Sequence, residues 1–255
     1  MTVKELYRFL EERIPRSLSC DWDNDGLMCC PNTEREVRRV LVALDVTASV
    51  AEYALSNGYD LIVSHHPMIF RPIGAVAPGK PVADKTIALL LGGVSVMSFH
   101  TRLDAVEGGV NDVLARALGL CDVSPFGQNG ETIGRIGTLP EAMSLNDFAR
   151  RVKTATGAPY VQISSAELPV HRVALLGGGG ADDADAAKAA GADTYLTGEL
   201  KHHQLTDAPE TGMNLIMGGH FYTENLVCAR IRELLLAADD ALTVTLIDSN
   251  PVQFV

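Results

Sequence analysis

The chain has 255 residues, 47% hydrophobic and 21% charged, an ordinary balance for a folded protein and far from that of a disordered one. Its 21 basic against 32 acidic residues leave a formal charge of −11 at pH 7, and no stretch gathers Lys and Arg, so a nucleic-acid backbone is a poor partner. No segment reaches the roughly 20 consecutive apolar residues of a membrane helix, and five cysteines, two of them adjacent, argue against a disulfide framework. A soluble, unexported protein in a reducing cytoplasm is expected, with Cys29 and Cys30 as buried apolar thiols rather than a reactive pair.

From the N-terminus, Val3, Leu6, Tyr7, Leu10 and Ile14 recur at helical spacing. A polar loop, Asp21-Trp22-Asp23-Asn24-Asp25-Gly26-Leu27, holds the only tryptophan, which is expected to anchor the core more readily than to serve as a stacking platform for a base. Beyond it, short apolar runs rich in Val, Leu and Ile alternate with helical stretches, the pattern of βαβ units around a mostly parallel sheet. The fold class is therefore α/β.

An internal echo sharpens this. The segment from Arg38-Arg39-Val40 to Ser64 matches that from His171-Arg172-Val173 to Thr197 without a gap, at an offset of 171 − 38 = 133 residues. Gly58 then falls on Gly191 and Asp60 on Asp193, so each half reads strand, turn, helix, Gly-x-Asp, strand. A second echo lays Val94-Ser95-Val96-Met97 on Asn214-Leu215-Ile216-Met217 at an offset of 120, and with it His100 on His220 and Asp104 on Glu224. After each carboxylate a helix is expected, over Val110 to Leu118 and Leu226 to Leu236. Two pseudo-repeated βαβ lobes follow, with mostly parallel or mixed sheets and a metal site between them. The lobes are placed at 1–125 and 126–255, interdigitated as one compact unit. Between them Gly119 to Pro140, with Pro125, Gly127, Gly130, Gly134 and Gly137, reads as a turn-rich crossing. Gly177-Gly178-Gly179-Gly180 reads as a tight strand-to-helix turn rather than a phosphate cradle, because Asp182, Asp183 and Asp185 would repel an anion.

The chemistry lies in three clusters, Ser64-His65-His66-Pro67, His100-Thr101-Arg102-Leu103-Asp104 and Gly219-His220-Phe221-Tyr222-Thr223-Glu224. Imidazole and carboxylate donors without Cys suit a borderline divalent ion such as zinc, manganese, iron or nickel, not a sulfur-rich structural site. His65 and His66 are adjacent and diverge, while His220 and Glu224, four apart, share a helix face. With Asp104 these make three imidazoles and two carboxylates, a set that suits two ions better than one. Two divalent cations less two carboxylates leave about +2, which favours an anionic or carbonyl oxygen. His100 is expected to orient a ligand rather than bind, as a catalytic auxiliary. In Thr197-Gly198-Glu199-Leu200-Lys201-His202-His203, Glu199 is a candidate base or an acceptor behind a ligand, and His202 and His203 are expected at the rim.

Taken in order with Trp22-Asp23-Asn24-Asp25-Gly26-Leu27 and Gly108-Gly109-Val110-Asn111, these motifs resemble, over nearly the whole chain, the dinuclear metal proteins related to the yeast NGG-one-interacting factor three, often labelled GTP cyclohydrolase type-two-like. The resemblance implies metal ligation by His65, His66, Asp104, His220 and Glu224, with Glu224 bridging, and a ring-shaped homohexamer. Members of the family commonly carry Asn at the position of Arg102, and the extra cation is expected to favour an anionic substrate. Longer relatives hold an inserted domain for which Gly119 to Pro169 leaves no room. The function implied is metal-dependent hydrolysis of a small anionic substrate, by ring opening of a purine nucleotide such as GTP or by phosphoester cleavage. The alternative is a non-enzymatic metal-binding oligomer that buffers ions or presents a surface to protein partners.

Overall fold

The computed structural model describes residues 1–128 and 132–253; residues 129–131, which include Gly130 of the turn-rich stretch, and residues 254–255 lie outside the described residues. In chain order the elements are α1 (Val3–Arg13), β1 (Gly26–Cys29), β2 (Arg39–Ala43), α2 (Ala48–Ser56), β3 (Leu61–Ser64), α3 (Pro81–Leu91), β4 (Ser95–Ser98), α4 (Thr101–Ala105) and α5 (Val110–Ala117). Next come β5 (Cys121–Phe126), β6 (Gly134–Met143), α6 (Leu145–Thr156), β7 (Gln162–Ser164), β8 (Val170–Leu176) and α7 (Ala184–Ala189). The chain ends with β9 (Thr194–Thr197), α8 (His202–Thr211), β10 (Asn214–Met217), α9 (His220–Glu224), α10 (Val227–Ala238) and β11 (Thr243–Leu246). Two compact units result, one of residues 1–103 with 227–253 and one of residues 104–226. Among the described residues no helix is long and apolar enough to cross a membrane.

The first unit is built on a five-stranded sheet in the order β1-β4-β3-β2-β11, in which β4, β3, β2 and β11 run parallel and β1 pairs antiparallel with β4. Strands β3 and β4 are buried at every residue, as expected where helices cover both faces of a parallel sheet. Leu41, Ile62 and Val96 pack with Val50 and Ala54 of α2 and Leu89 of α3. At its start α1 is fixed by a capping box, in which Thr2 accepts from the Glu5 N–H and Glu5 accepts from the Thr2 N–H. The C-terminal segment returns to this unit, because β11 joins the sheet edge beside β2.

The second unit carries a six-stranded sheet, β5-β6-β8-β9-β10-β7, with β8, β9 and β10 parallel and the other pairings antiparallel. Its strands alternate between two cores. Val173, Leu175, Leu196 and Ile216 pack with Leu114 of α5 and with Phe148 and Val152 of α6, whereas Ala174, Leu176, Tyr195 and Leu215 pack with Phe126 and Ala187. The expected turn-rich crossing corrects to the antiparallel strands β5 and β6. Gly134, Gly137, Pro125 and Pro140 lie inside these strands, and Pro125 is tolerated because β5 is at the sheet edge.

The internal echo extends to the hydrogen bonds. Val40 pairs with Leu61 and Val173 with Thr194, each 133 residues from its counterpart. Asp60 Oδ2 accepts from the backbone N–H groups of Arg38 and Arg39 at 2.9 and 3.0 Å, and Asp193 Oδ2 accepts from those of His171 and Arg172 at 3.0 and 2.7 Å. The Gly-x-Asp motif is thus a clamp that fixes where the preceding strand begins. In the second echo the strands fall one residue out of the expected step. Pairing sets Ser95 opposite Leu61 and Asn214 opposite Thr194, an offset of 214 − 95 = 119. Gly218 and Gly219 separate β10 from His220, where Phe99 alone separates β4 from His100, and this extra residue restores 120 for the histidines.

Burial pushes the Asp60 carboxyl upward, but the two N–H groups and the Arg35 guanidinium outweigh it and hold it below the usual carboxylate range. A depressed folded-state pKa contributes stability that is fully present above the unfolded value and is lost as pH falls through the folded one. Asp60→Ala is expected to lower unfolding free energy by about 1.5–3 kcal/mol near neutrality. The deficit should shrink in acid, as read by urea titrations across pH.

Candidate metal centre

In the first unit the C-terminal ends of β3 and β4 place His65, His66 and His100 side by side, where open α/β sheets put their sites. One ligand nitrogen from each lies within 4.8 Å of the others. The Nδ1 atom of His65, a fully buried residue, is 2.9 Å from the Phe99 carbonyl oxygen. A carbonyl can only accept, so His65 Nδ1 carries the proton and Nε2 the lone pair. His66 Nδ1 lies 2.7 Å from Asp45 Oδ1, and His100 Nδ1 lies 2.8 Å from Asp23 Oδ1. Burial opposes the charge on Asp23, yet His100 and the hydroxyl and N–H of Thr101 hold its carboxyl well below the usual range, so it remains an acceptor.

In the second unit α9 places His220 and Glu224 on one face, with Nε2 and Oε2 3.1 Å apart. Two donors at about 2.0–2.1 Å from one ion, subtending about 90–109°, are separated by about 2.9–3.4 Å, so this pair has the spacing of two ligands on one ion. Glu199 Oε1 stands 3.1 Å from His220 Nδ1 and is largely exposed. The glycine run passes close by. Gly178 has φ +66°, and a Cβ there would collide with Glu224 Oε1 and come within 3.0 Å of His220 Nε2. This loop is tight because it packs against the donors. Asp104 is buried near the end of α4, while His202 and His203 are exposed at the start of α8.

The donors are imidazole nitrogens in the first unit and imidazole nitrogen with carboxylate oxygen in the second, and His65, His66, His100 and His220 are each held through Nδ1 by an acceptor, which is how proteins orient histidine for a metal. The residues therefore fit borderline divalent ions. Cys29 stands apart from this chemistry, its thiol pushed up to about 11 by burial and by Cys30. Sequence reasoning missed Asp45 and Asp23 as the acceptors that orient His66 and His100. Asp45 carried one readable signal, its position two residues past the end of β2, at the same sheet edge as the histidines.

Two expectations are corrected. Arg102 does not offer its charge to a substrate. Its side chain is fully buried, donating from Nε to Asp25 Oδ2 at 2.9 Å and from Nη1 to Glu11 Oε1 at 2.9 Å and the Ile14 carbonyl at 3.0 Å, with the guanidinium 4.6 Å from the Phe99 ring centre. Asp25, equally buried, also accepts from Ser19, Arg16 and the His100 N–H. The pair pins the polar loop beneath His100. Trp22 does not anchor the core; it is 53% exposed, edge-on to His100 with ring centres 6.2 Å apart.

The profile of the Duf34/NIF3 (NGG1p interacting factor 3) family matches residues 1–251. A protein of Nostoc sp. named GTP cyclohydrolase 1 type 2 homolog is 37% identical over 221 residues, 85% of this chain and 82% of its own length. The NIF3 homolog of Schizosaccharomyces pombe is 32% identical over 97% of this chain and 96% of its own. Among solved structures, that of a hypothetical protein from Staphylococcus aureus superposes with a TM-score of 0.89 at 26% identity, over 100% of this chain and 99% of that one.

Breaking a buried ion pair strands the other charge. Arg102→Met is expected to cost about 3–5 kcal/mol in chemical denaturation, far more than a surface Arg→Met change would.

Proposed function

This chain belongs to the Duf34/NIF3 family, and from that premise we propose that it is a dinuclear, divalent-metal-dependent hydrolase. His65, His66 and Asp104 would hold the ions together with His220 and Glu224, and Glu224 would bridge them. Four imidazoles with Nδ1 on Phe99 O, Asp45, Asp23 and Glu199 support the reading, since an acceptor on Nδ1 is how proteins orient a histidine whose Nε2 is to bind a metal. Bound ions would supply Lewis acidity toward a carbonyl or phosphoryl oxygen and would acidify water.

The protein's own groups supply orientation and proton handling. Asp45 fixes the tautomer of His66. Glu199 does the same for His220 and, being exposed, is the group placed to exchange a proton with solvent. His100 would contact water or substrate beside the ions; its ring lies 5.3 and 5.7 Å from those of His65 and His66. The substrate class proposed is a small anion, a purine nucleotide opened at its ring or a phosphoester, and the name GTP cyclohydrolase 1 type 2 homolog carried by relatives supports the nucleotide.

Elemental analysis of gently purified protein should find two ions per chain, with metal-dependent turnover of GTP or of a generic phosphoester. His66→Ala and Glu224→Ala should lose metal with little unfolding, and Asp45→Asn should weaken metal affinity about 10–100-fold. His202→Ala should change nothing. Wild-type metal content in both ligand variants would remove the site; two ions without turnover would favour the metal-binding oligomer.

A further inference from the structure

Trp22, the chain's only tryptophan, is half exposed on a loop that has no slack. Asp23 is tied to His100 and Thr101, Asn24 to the Ile69 carbonyl, and Asp25 to Arg102, so the indole is held out in water by a rigid support. Beside it stands Phe70, also partly exposed, and both rings adjoin His100. The three rings meet pairwise at 79°, 82° and 86°, with centres 5.8–6.3 Å apart, so none is stacked flat on another. Over Phe70 lies the Arg71 guanidinium, 4.8 Å from the ring centre and, unlike Arg102, exposed.

We propose that Trp22 and Phe70 form a wall for the nucleobase of a nucleotide substrate, which stacks on the Trp22 face and meets Phe70 edge-on, with Arg71 as the exposed cation beside its phosphates; this rests on the nucleotide form of the reading above. Exposed aromatic faces accept any base, because stacking uses the π surface that all bases share. Two rings are far too small for a stable protein interface, which covers roughly 800 Å² per partner, but they match one base. Of the carboxylates in this loop, Asp23 and Asp25 are each engaged by several donors, which leaves the exposed Asp21 as the charge that Arg71 has to offset. The base would thus lie against His100, next to the histidines proposed to hold metal.

Since Trp22 is the only tryptophan, fluorescence excited at the red edge, beyond tyrosine absorption, reads this position alone. Metal-loaded protein should show saturable quenching by guanosine 5′-monophosphate and none by ribose 5-phosphate. By calorimetry, Trp22→Ala should weaken binding of the nucleotide about tenfold or more, and Trp22→Phe should retain most of it. Both variants should keep wild-type metal content, as the side chain is exposed and no proposed ligand. Equal binding of the two phosphates, no binding of the nucleotide, or unchanged affinity in Trp22→Ala would overturn the wall while leaving the metal centre standing. Wild-type protein that binds no metal would instead overturn the metal centre, and the comparison of nucleotide with sugar phosphate would still decide the wall.

Discussion

A neutral imidazole shares one proton between two nitrogens, so whatever engages Nδ1 decides what Nε2 can do. In the first unit this follows from strand register. Ser64 pairs with Ser98, and the Phe99 N–H donates to the Ser64 carbonyl, which leaves the Phe99 carbonyl beside His65. A one-residue slip of β4 would turn every side chain of that strand to the opposite face and take this acceptor away. The full burial of β3 and β4 protects the register, and β2 ends beside them so that Asp45 reaches His66.

The second unit repeats the scaffold with different donors. At the offset of 133 residues, Gly198 stands where the first unit has His65, and Glu199 where it has His66. A side chain at Gly198 is excluded, since its Cβ would lie 2.5 Å from the Gly178 carbonyl and 2.7 Å from His220 Cα. The second unit therefore cannot copy the histidine pair. Its counterpart of His66 is a carboxylate that holds His220 instead, so one unit presents neighbouring imidazoles and the other an imidazole with a carboxylate. The scaffold clamp is nevertheless the same, an aspartate accepting two backbone N–H groups at the start of β2 and of β8.

The legible part of the sequence was the part governed by local rules. Buried parallel strands read as apolar runs, the Gly-x-Asp motif read as a repeat, and the four-residue spacing of His220 and Glu224 read as one helix face, which α9 supplies. The α/β class and the family followed from these. What was hidden depends on partners far apart in the chain. Arg102 finds Asp25 and Glu11, 77 and 91 residues away, and no local pattern distinguishes such a buried pair from a charge beside a substrate. Trp22 was misplaced for the opposite reason, because an aromatic suggests burial by default while the polar network around it keeps it out. Glycines inside β6 mimicked turns, and the return of β11 to the edge beside β2 leaves no mark in local periodicity.

X-ray absorption at the edge of the metal carried by the purified protein tests the central claim most directly, because it reads the donor atoms themselves. The account predicts nitrogen and oxygen neighbours at about 2.0–2.2 Å, outer scattering from imidazole rings and a second metal at about 3.5–4 Å. Sulfur neighbours at about 2.3 Å, or a shell without imidazole, would contradict it.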